Sequence, residues 1–237
     1  MSEAQTQIQA VVGSAPDDLV AMYESGGTPS FPDSRINVLS FEAALSTTQQ
    51  MCGIPAVDSL GLWVLDDAND SNPYGLITKG PYRGFVVHFS HDPEPEIKFD
   101  SLGGFLAEVQ RVGQSGGDID DFAPTIDQRL DCSDDIIRLV QEDTEDSIWM
   151  LCLYLTGSPN LSSSAQEAVA AWDDFYAGEA LALWLKKHGS AADLAIAEKL
   201  AAADHPQVSN PGKAAVSAIR RRRSQQVTQP DAEDGAG

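Results

Sequence analysis

Basic residues are few in this chain of 237 residues. The 15 lysines and arginines stand against 36 aspartates and glutamates, a formal net charge of −21. A field of that sign repels phosphate backbones and attracts basic surfaces, so nucleic acid is not the expected partner and a basic protein is. The same acidity also fits general solubility or a saline interior, since aspartate outnumbers glutamate and lysine is scarce. Long apolar runs are missing too. The longest, Ile148 to Leu155 (IWMLCLYL), is far shorter than the roughly 20 residues a bilayer requires, which excludes a membrane span from the expectations. The opening MSEAQTQIQAVVGSA holds an early Glu3, no Lys or Arg and no long apolar core; a secretory signal is not expected, and a cytoplasmic location is. Cysteine is sparse: Cys52, Cys132 and Cys152 form no CxxC pair, which fits a reducing compartment and buried, inert thiols. With no phosphate-binding glycine loop and no Cys/His zinc pattern, no cofactor or metal is expected.

What is present is globular in composition, with 42% apolar residues in a chain long enough for one large domain or two small ones. Residues 1–14 read as an N-terminal arm. PDDLVAMYES opens with Pro16 and two acids and places Leu19, Met22 and Tyr23 at helical spacing before Gly26-Gly27 stops it. RINVL (35–39) reads as a strand, and Ser40 caps a helix through Phe41, Ala44 and Leu45. GLWVL, YGLIT and FVVHF are three short apolar runs separated by DDANDSNP and KGPYRG, the pattern of an antiparallel meander. Ile97 to Phe99 follows, then an amphipathic helix capped by Ser101, with Leu102, Phe105, Leu106 and Val109 on one side. GQSGGDIDD breaks the pattern, and residues 113–126 read as a linker. Beyond it, residues 127–223 turn helical: 134–141, 146–156, 162–188 and 190–203. Lys186, Lys187 and His188 suit a helix C-terminus, with Gly189 in the left-handed position after it, and Ser190 with Asp193 forms a capping box. Residues 224–237 read as a disordered tail.

Each chemical motif has a structural competitor. Gly113, Ser115 and Gly117 match the G-x-S-x-G nucleophile elbow, but a helix precedes the serine and an acidic loop follows, the wrong context for that motif. His88 and His91 lie three apart on a strand and so start on opposite faces. Asp66, Asp67, Asn69 and Asp70 crowd one turn, yet an EF-hand starting at Asp67 needs glycine where Asn72 stands and glutamate where Thr78 stands. Trp63, Tyr74, Phe85 and Phe89 read as core. Tyr82, in the turn between Pro81 and Arg83, is the aromatic most available to a partner, with packing as its competing role. The run Arg220 to Arg223 reads as a clasp onto the acidic body or a helix-end dipole partner rather than a nucleic-acid tag.

Several of these residues together resemble the SUKH superfamily, which contains the yeast cell-wall-assembly regulator domain and many bacterial toxin-immunity proteins. The similarity is carried by Trp63 in GLWVL, Asn69 in DDAND, Pro73-Tyr74, Gly84 before FVVHF, the His91-Asp92 turn, and Ile97 to Phe99 leading into SLGGFLAEV. Upstream, LVAMYESGG and RINVLSFEAAL resemble the family's opening. The similarity spans residues 15–112; the long helical half exceeds what a minimal member needs. It implies an α+β fold, a curved, mainly antiparallel sheet flanked by helices, followed here by an α-helical region, and no catalytic residues. It also implies that immunity members bind and neutralise a toxin.

The functional expectation is therefore a non-catalytic protein-binding module, an immunity protein for a basic toxin domain such as a nuclease, with a regulatory or scaffolding module as the alternative. Asp66, Asp67, Asp70, Asp92, Glu94 and Glu96, in the turns of the meander, are the candidate partner-binding acids, together with Tyr82.

Overall fold

The alternating apolar runs pair as strands. The computed structural model describes residues 1–26, 28–31, 35–66, 72–89, 95–126 and 130–227. Among them β1 (Leu62–Val64), β2 (Tyr74–Ile77), β3 (Val86–His88) and β4 (Glu96–Phe99) form an open antiparallel sheet in the order β1-β2-β3-β4. The fold is α+β with a helical C-terminal region, and the chain divides into two compact units, residues 1–129 and 130–237.

In the first unit, Trp63 opposes Leu76, Leu76 opposes Val86, and Val86 opposes Phe99. Strand alternation therefore puts these four on one face. That face packs with α1 (Glu3–Val12), α2 (Asp17–Glu24), α3 (Phe41–Met51) and α5 (Leu102–Gln114) through Ile8, Leu19, Ala44 and Phe105. Their alternates Leu62, Ile77, Val87 and Ile97 are buried as well, which is why the strands read as unbroken apolar runs. A short helix, α4 (Pro55–Leu60), leads into β1. It ends at Gly61, whose φ is +55° and whose Cβ, if present, would lie 2.4 Å from Thr78 Oγ1. That hydroxyl donates to the Gly61 carbonyl at 2.7 Å, so the helix end and the end of β2 close on a residue without a side chain.

The outer edge of β1 is not left open. The buried Thr48 hydroxyl of α3 accepts from the Val64 N–H at 3.0 Å, and the Leu39 N–H donates to the Leu65 carbonyl at 2.9 Å. The expected strand RINVL does not join the sheet. Among the described residues it contributes the bridges Ser30 to Asn37 and Val38 to Asp66.

Two boundary expectations are corrected. The expected N-terminal arm is helix α1, capped by Ser2 and seated in the core through Ile8 and Val12. The expected linker belongs to the first unit. Asp118 caps the 3-10 turn Ile119–Asp121, the Phe122 ring packs 5.5 Å from Tyr74 and 6.0 Å from Phe105, and Thr125 exchanges backbone bonds with Lys98 and Asp100.

The second unit is helical: α6 (Ser133–Glu142), α7 (Glu145–Gly157), α8 (Ser163–Ala171), α9 (Phe175–His188), a 3-10 turn at Ala191–Asp193, α10 (Leu194–Ala201) and α11 (Pro206–Val227). The helix expected over 162–188 is two, since Asp174 turns out of the helix and caps the second by accepting from the Ala177 N–H at 3.0 Å. Gly189 is not left-handed. Its φ is −56°, and glycine is needed there because a Cβ would meet the Leu185 carbonyl at 2.6 Å and Ile219 at 2.9 Å. The carbonyls at this end of α9 are taken instead by Arg222, which donates to Leu185, Lys186 and Gly189 at 3.1, 2.9 and 2.6 Å. Arg220 pairs with Glu198 at 2.8 Å. Two of the arginines thus act as the expected clasp and helix-end partner, and Arg221 and Arg223 are exposed. The Ser190–Asp193 capping box forms as expected. Helix α11 continues through residues 224–227 of the expected tail, and 228–237 lie outside the described residues. No helix among the described residues is long and apolar enough to cross a membrane.

Candidate functional site

Of the acids expected to face a partner, Asp67, Asp70, Asp92 and Glu94 lie outside the described residues. Asp66 does not offer its charge to solvent. It is 4% exposed, and its carboxylate accepts from the Tyr74 N–H at 2.7 Å, tying the residues after β1 to the first residue of β2. Tyr82 is a second correction. The turn 80–84 is closed by bonds from Arg83 N to Gly80 O, Phe85 N to Tyr82 O and Gly84 N to Ile77 O, and it buries the ring completely, edge-on to Phe85 at 5.2 Å. Glu96 remains half exposed and pairs with Lys98 at 2.6 Å.

The other motifs also resolve locally. Ser115 ends α5, and its hydroxyl donates to the Val112 carbonyl at 2.8 Å. His88 stacks on Tyr74 with ring centroids 4.8 Å apart, and His91 lies outside the described residues. Cys132 and Cys152 are buried as expected, whereas Cys52, just past α3, is exposed. Among the described residues no three His, Cys, Asp or Glu side chains gather as a metal site.

A different surface of the first unit is concave. An open groove of 570 Å³ runs between the ends of α1, α2 and α3. Its apolar floor is Tyr23, Phe41 and Leu45, and its rim carries Glu3, Glu24 and Glu42. The floor rings pack on one another. The Tyr23 and Phe41 rings meet at 70° with centroids 5.3 Å apart, and Phe41 stacks on the buried Trp63 at 6.0 Å. The Trp63 indole N–H donates to the Tyr23 oxygen at 3.0 Å. Burial pushes the Tyr23 phenol up to about 12, against a smaller lowering by that bond, so the ring stays neutral through the physiological range.

The charge around this groove is of one sign. Arg35 is the sole lysine or arginine before Lys79, and it is engaged with Asp118 at 2.9 Å and with Asp120. Glu3 and Glu42 sit in the first turns of α1 and α3, where the helix dipoles favour them. Glu24 is different: it is the last residue of α2, at the negative end of the helix. Among the described residues Glu24 and Glu42 make no hydrogen bond or ion pair. Sequence reading passed over both because an isolated acid on a helix looks like an ordinary solvated face. The signal that was there is an acid at a helix C-terminus in a stretch almost without cations.

A groove of 390 Å³ in the second unit, between α8, α9 and the start of α11, is lined by Trp172, Phe175 and His205. Its charged lining residues are of both signs, Asp173, Asp174 and Asp204 with Lys199. Asp174 is a helix cap, the Trp172 indole donates to Asp143 at 2.7 Å, and Lys199 lies in its wall.

The chain matches no family model, and neither curated proteins nor solved structures give a significant match.

Proposed function

We propose that the chain is a non-catalytic protein-binding module of the SUKH type, an immunity protein that binds and neutralises a basic toxin domain, a nuclease in the leading case, inside the bacterial cytoplasm. The observation that carries this reading is the aromatic groove of the first unit, rimmed by Glu24 and Glu42 that no described residue neutralises. An acid-rimmed, preformed surface on a chain of net charge −21 speeds encounter with a basic partner and competes with a polyanionic substrate for the same surface. The four-stranded meander flanked by helices supports the family resemblance as its expected architecture. The test is co-expression with the toxin domain encoded next to it. Survival that depends on this chain is the expected result; equal killing with and without it overturns the proposal.

A regulatory or scaffolding role through the helical half is the second reading. It is favoured by Tyr176 and Leu183, 50% and 44% exposed and seven residues apart on α9, hence on one helix face. Binding partners retained by residues 130–237 and lost on Tyr176→Ser with Leu183→Ser support this reading; a single toxin-like partner that tolerates both changes rules it out.

A further inference from the structure

We propose that the groove between α1, α2 and α3 is a receptor for a lysine- or arginine-bearing segment of a protein partner, with the cationic head held against Glu24 and its aliphatic stem laid on Phe41 and Tyr23. The inference deepens the protein-binding reading and rests on it. Shape selects an apolar or amphipathic guest, because the floor is ring and leucine surface that stays partly exposed. Charge then selects among such guests. The rim holds three glutamates and no cation, and the nearest basic residue in sequence, Arg35, already serves Asp118 and Asp120. An acidic or neutral segment would leave Glu24 facing the carbonyl end of its own helix, whereas a guanidinium or ammonium relieves that repulsion. Arginine and lysine side chains carry both features at once, an apolar stem and a charged head, and their heads are attracted to the faces of aromatic rings. The floor is held by its own contacts, since the Trp63 indole donates to the Tyr23 oxygen and Phe41 packs against both of those rings.

The experiment is a titration of the full chain, followed by amide and aromatic NMR, with a synthetic peptide repeating glycine, leucine and arginine. Its arginine-to-glutamine version is the control. The expected result is a set of shifts centred on Tyr23, Phe41, Leu45 and the Trp63 indole, absent with the control. Binding should fall about two- to fivefold in Phe41→Leu, the share of one aromatic face, and severalfold in Glu24→Gln. Glu24 is exposed and makes no internal bond among the described residues, so that variant keeps its fold, and an unchanged amide spectrum elsewhere verifies this. Shifts scattered over the acidic surface, or binding indifferent to both variants, overturn the inference. The toxin assay separates the two levels. If Glu24→Gln and Phe41→Leu protect cells as well as the parent chain, the groove assignment falls and the immunity reading stands. If the parent chain does not protect but the peptide seats in the groove, the reverse holds.

Discussion

Replacing Asp66 by alanine should destabilise the first unit without speeding the dissociation of a basic partner. The carboxylate is 4% exposed and accepts from the Tyr74 N–H at 2.7 Å, and Tyr74 itself is buried. Removing the acceptor leaves a backbone donor in a site with little access to water, and a hydrogen bond to a charged group contributes about 1.5–3 kcal/mol in such a setting. A loss of about 2 kcal/mol corresponds to roughly thirtyfold in an opening equilibrium. Hydrogen exchange resolves this residue by residue. The Tyr74 amide should exchange about thirtyfold faster in Asp66→Ala, and by a smaller factor in Asp66→Asn, which keeps a neutral acceptor. Amides of α6 to α11 should be unchanged. Faster dissociation of a basic partner at unaltered Tyr74 protection would refute the reasoning and return Asp66 to the partner-facing acids.

Three further outcomes follow from the same geometry. Thr48→Val keeps the volume of the side chain but strips the Val64 N–H of its acceptor; a loss of about 1–3 kcal/mol should appear as faster Val64 exchange and a lower denaturation midpoint. Arg222→Gln should cost about 1–3 kcal/mol by freeing the last carbonyls of α9, while Arg221→Gln, exposed in the same run, should stay within about 0.5 kcal/mol in the same urea titration. Asp193 is raised by burial, but the Ser190 N–H, the Gln166 amide and the Ser190 hydroxyl outweigh that and hold it below the usual carboxylate range. Its contribution is therefore complete above about pH 4, the unfolded value, and is lost as pH falls through the lower folded value. The difference in thermal midpoint between the parent chain and Asp193→Asn should shrink on acidification from pH 7 to pH 2.

Local signals were legible in the sequence wherever one residue decides the outcome. Ser40 and Ser101 cap the helices they were read to cap, each hydroxyl accepting from the N–H three residues on, and the three apolar runs pair in sequence order. What could not be read was decided by partners distant in sequence. The edge of β1 is closed by Thr48 of a helix reaching Val64, and whether GQSGGDIDD is a linker depends on Phe122 finding Tyr74 and Phe105. Tyr82 and Asp66 failed as surface residues for one shared reason. Turn residues are read as exposed from their neighbours, yet a turn closed by its own backbone bonds can fold a ring inward, and a carboxylate beside a strand can serve the backbone. The groove acids were invisible for the complementary reason: their interest lies in what surrounds them in space.

The charge of −21 is consequently not a uniform coat. Part of it is already committed within the fold. Asp118, Asp174 and Asp193 hold helix or 3-10 starts, Asp66 closes a strand connection, and Glu108, Asp135 and Glu198 meet arginines. Carboxylates of this kind contribute to the long-range field but have little to give a docking partner, because a new cation must compete with a bond already made. Glu24 and Glu42 contribute to the same field and keep their local bonding capacity, beside the aromatic floor of one groove. Removing any surface acid should lower the rate of encounter with a basic protein in rough proportion to the charge removed, an effect that salt screens. Removing Glu24 should in addition raise the dissociation rate, because it deletes a contact in the bound state. The split between association and dissociation rates is what distinguishes an acidic surface from an acidic site.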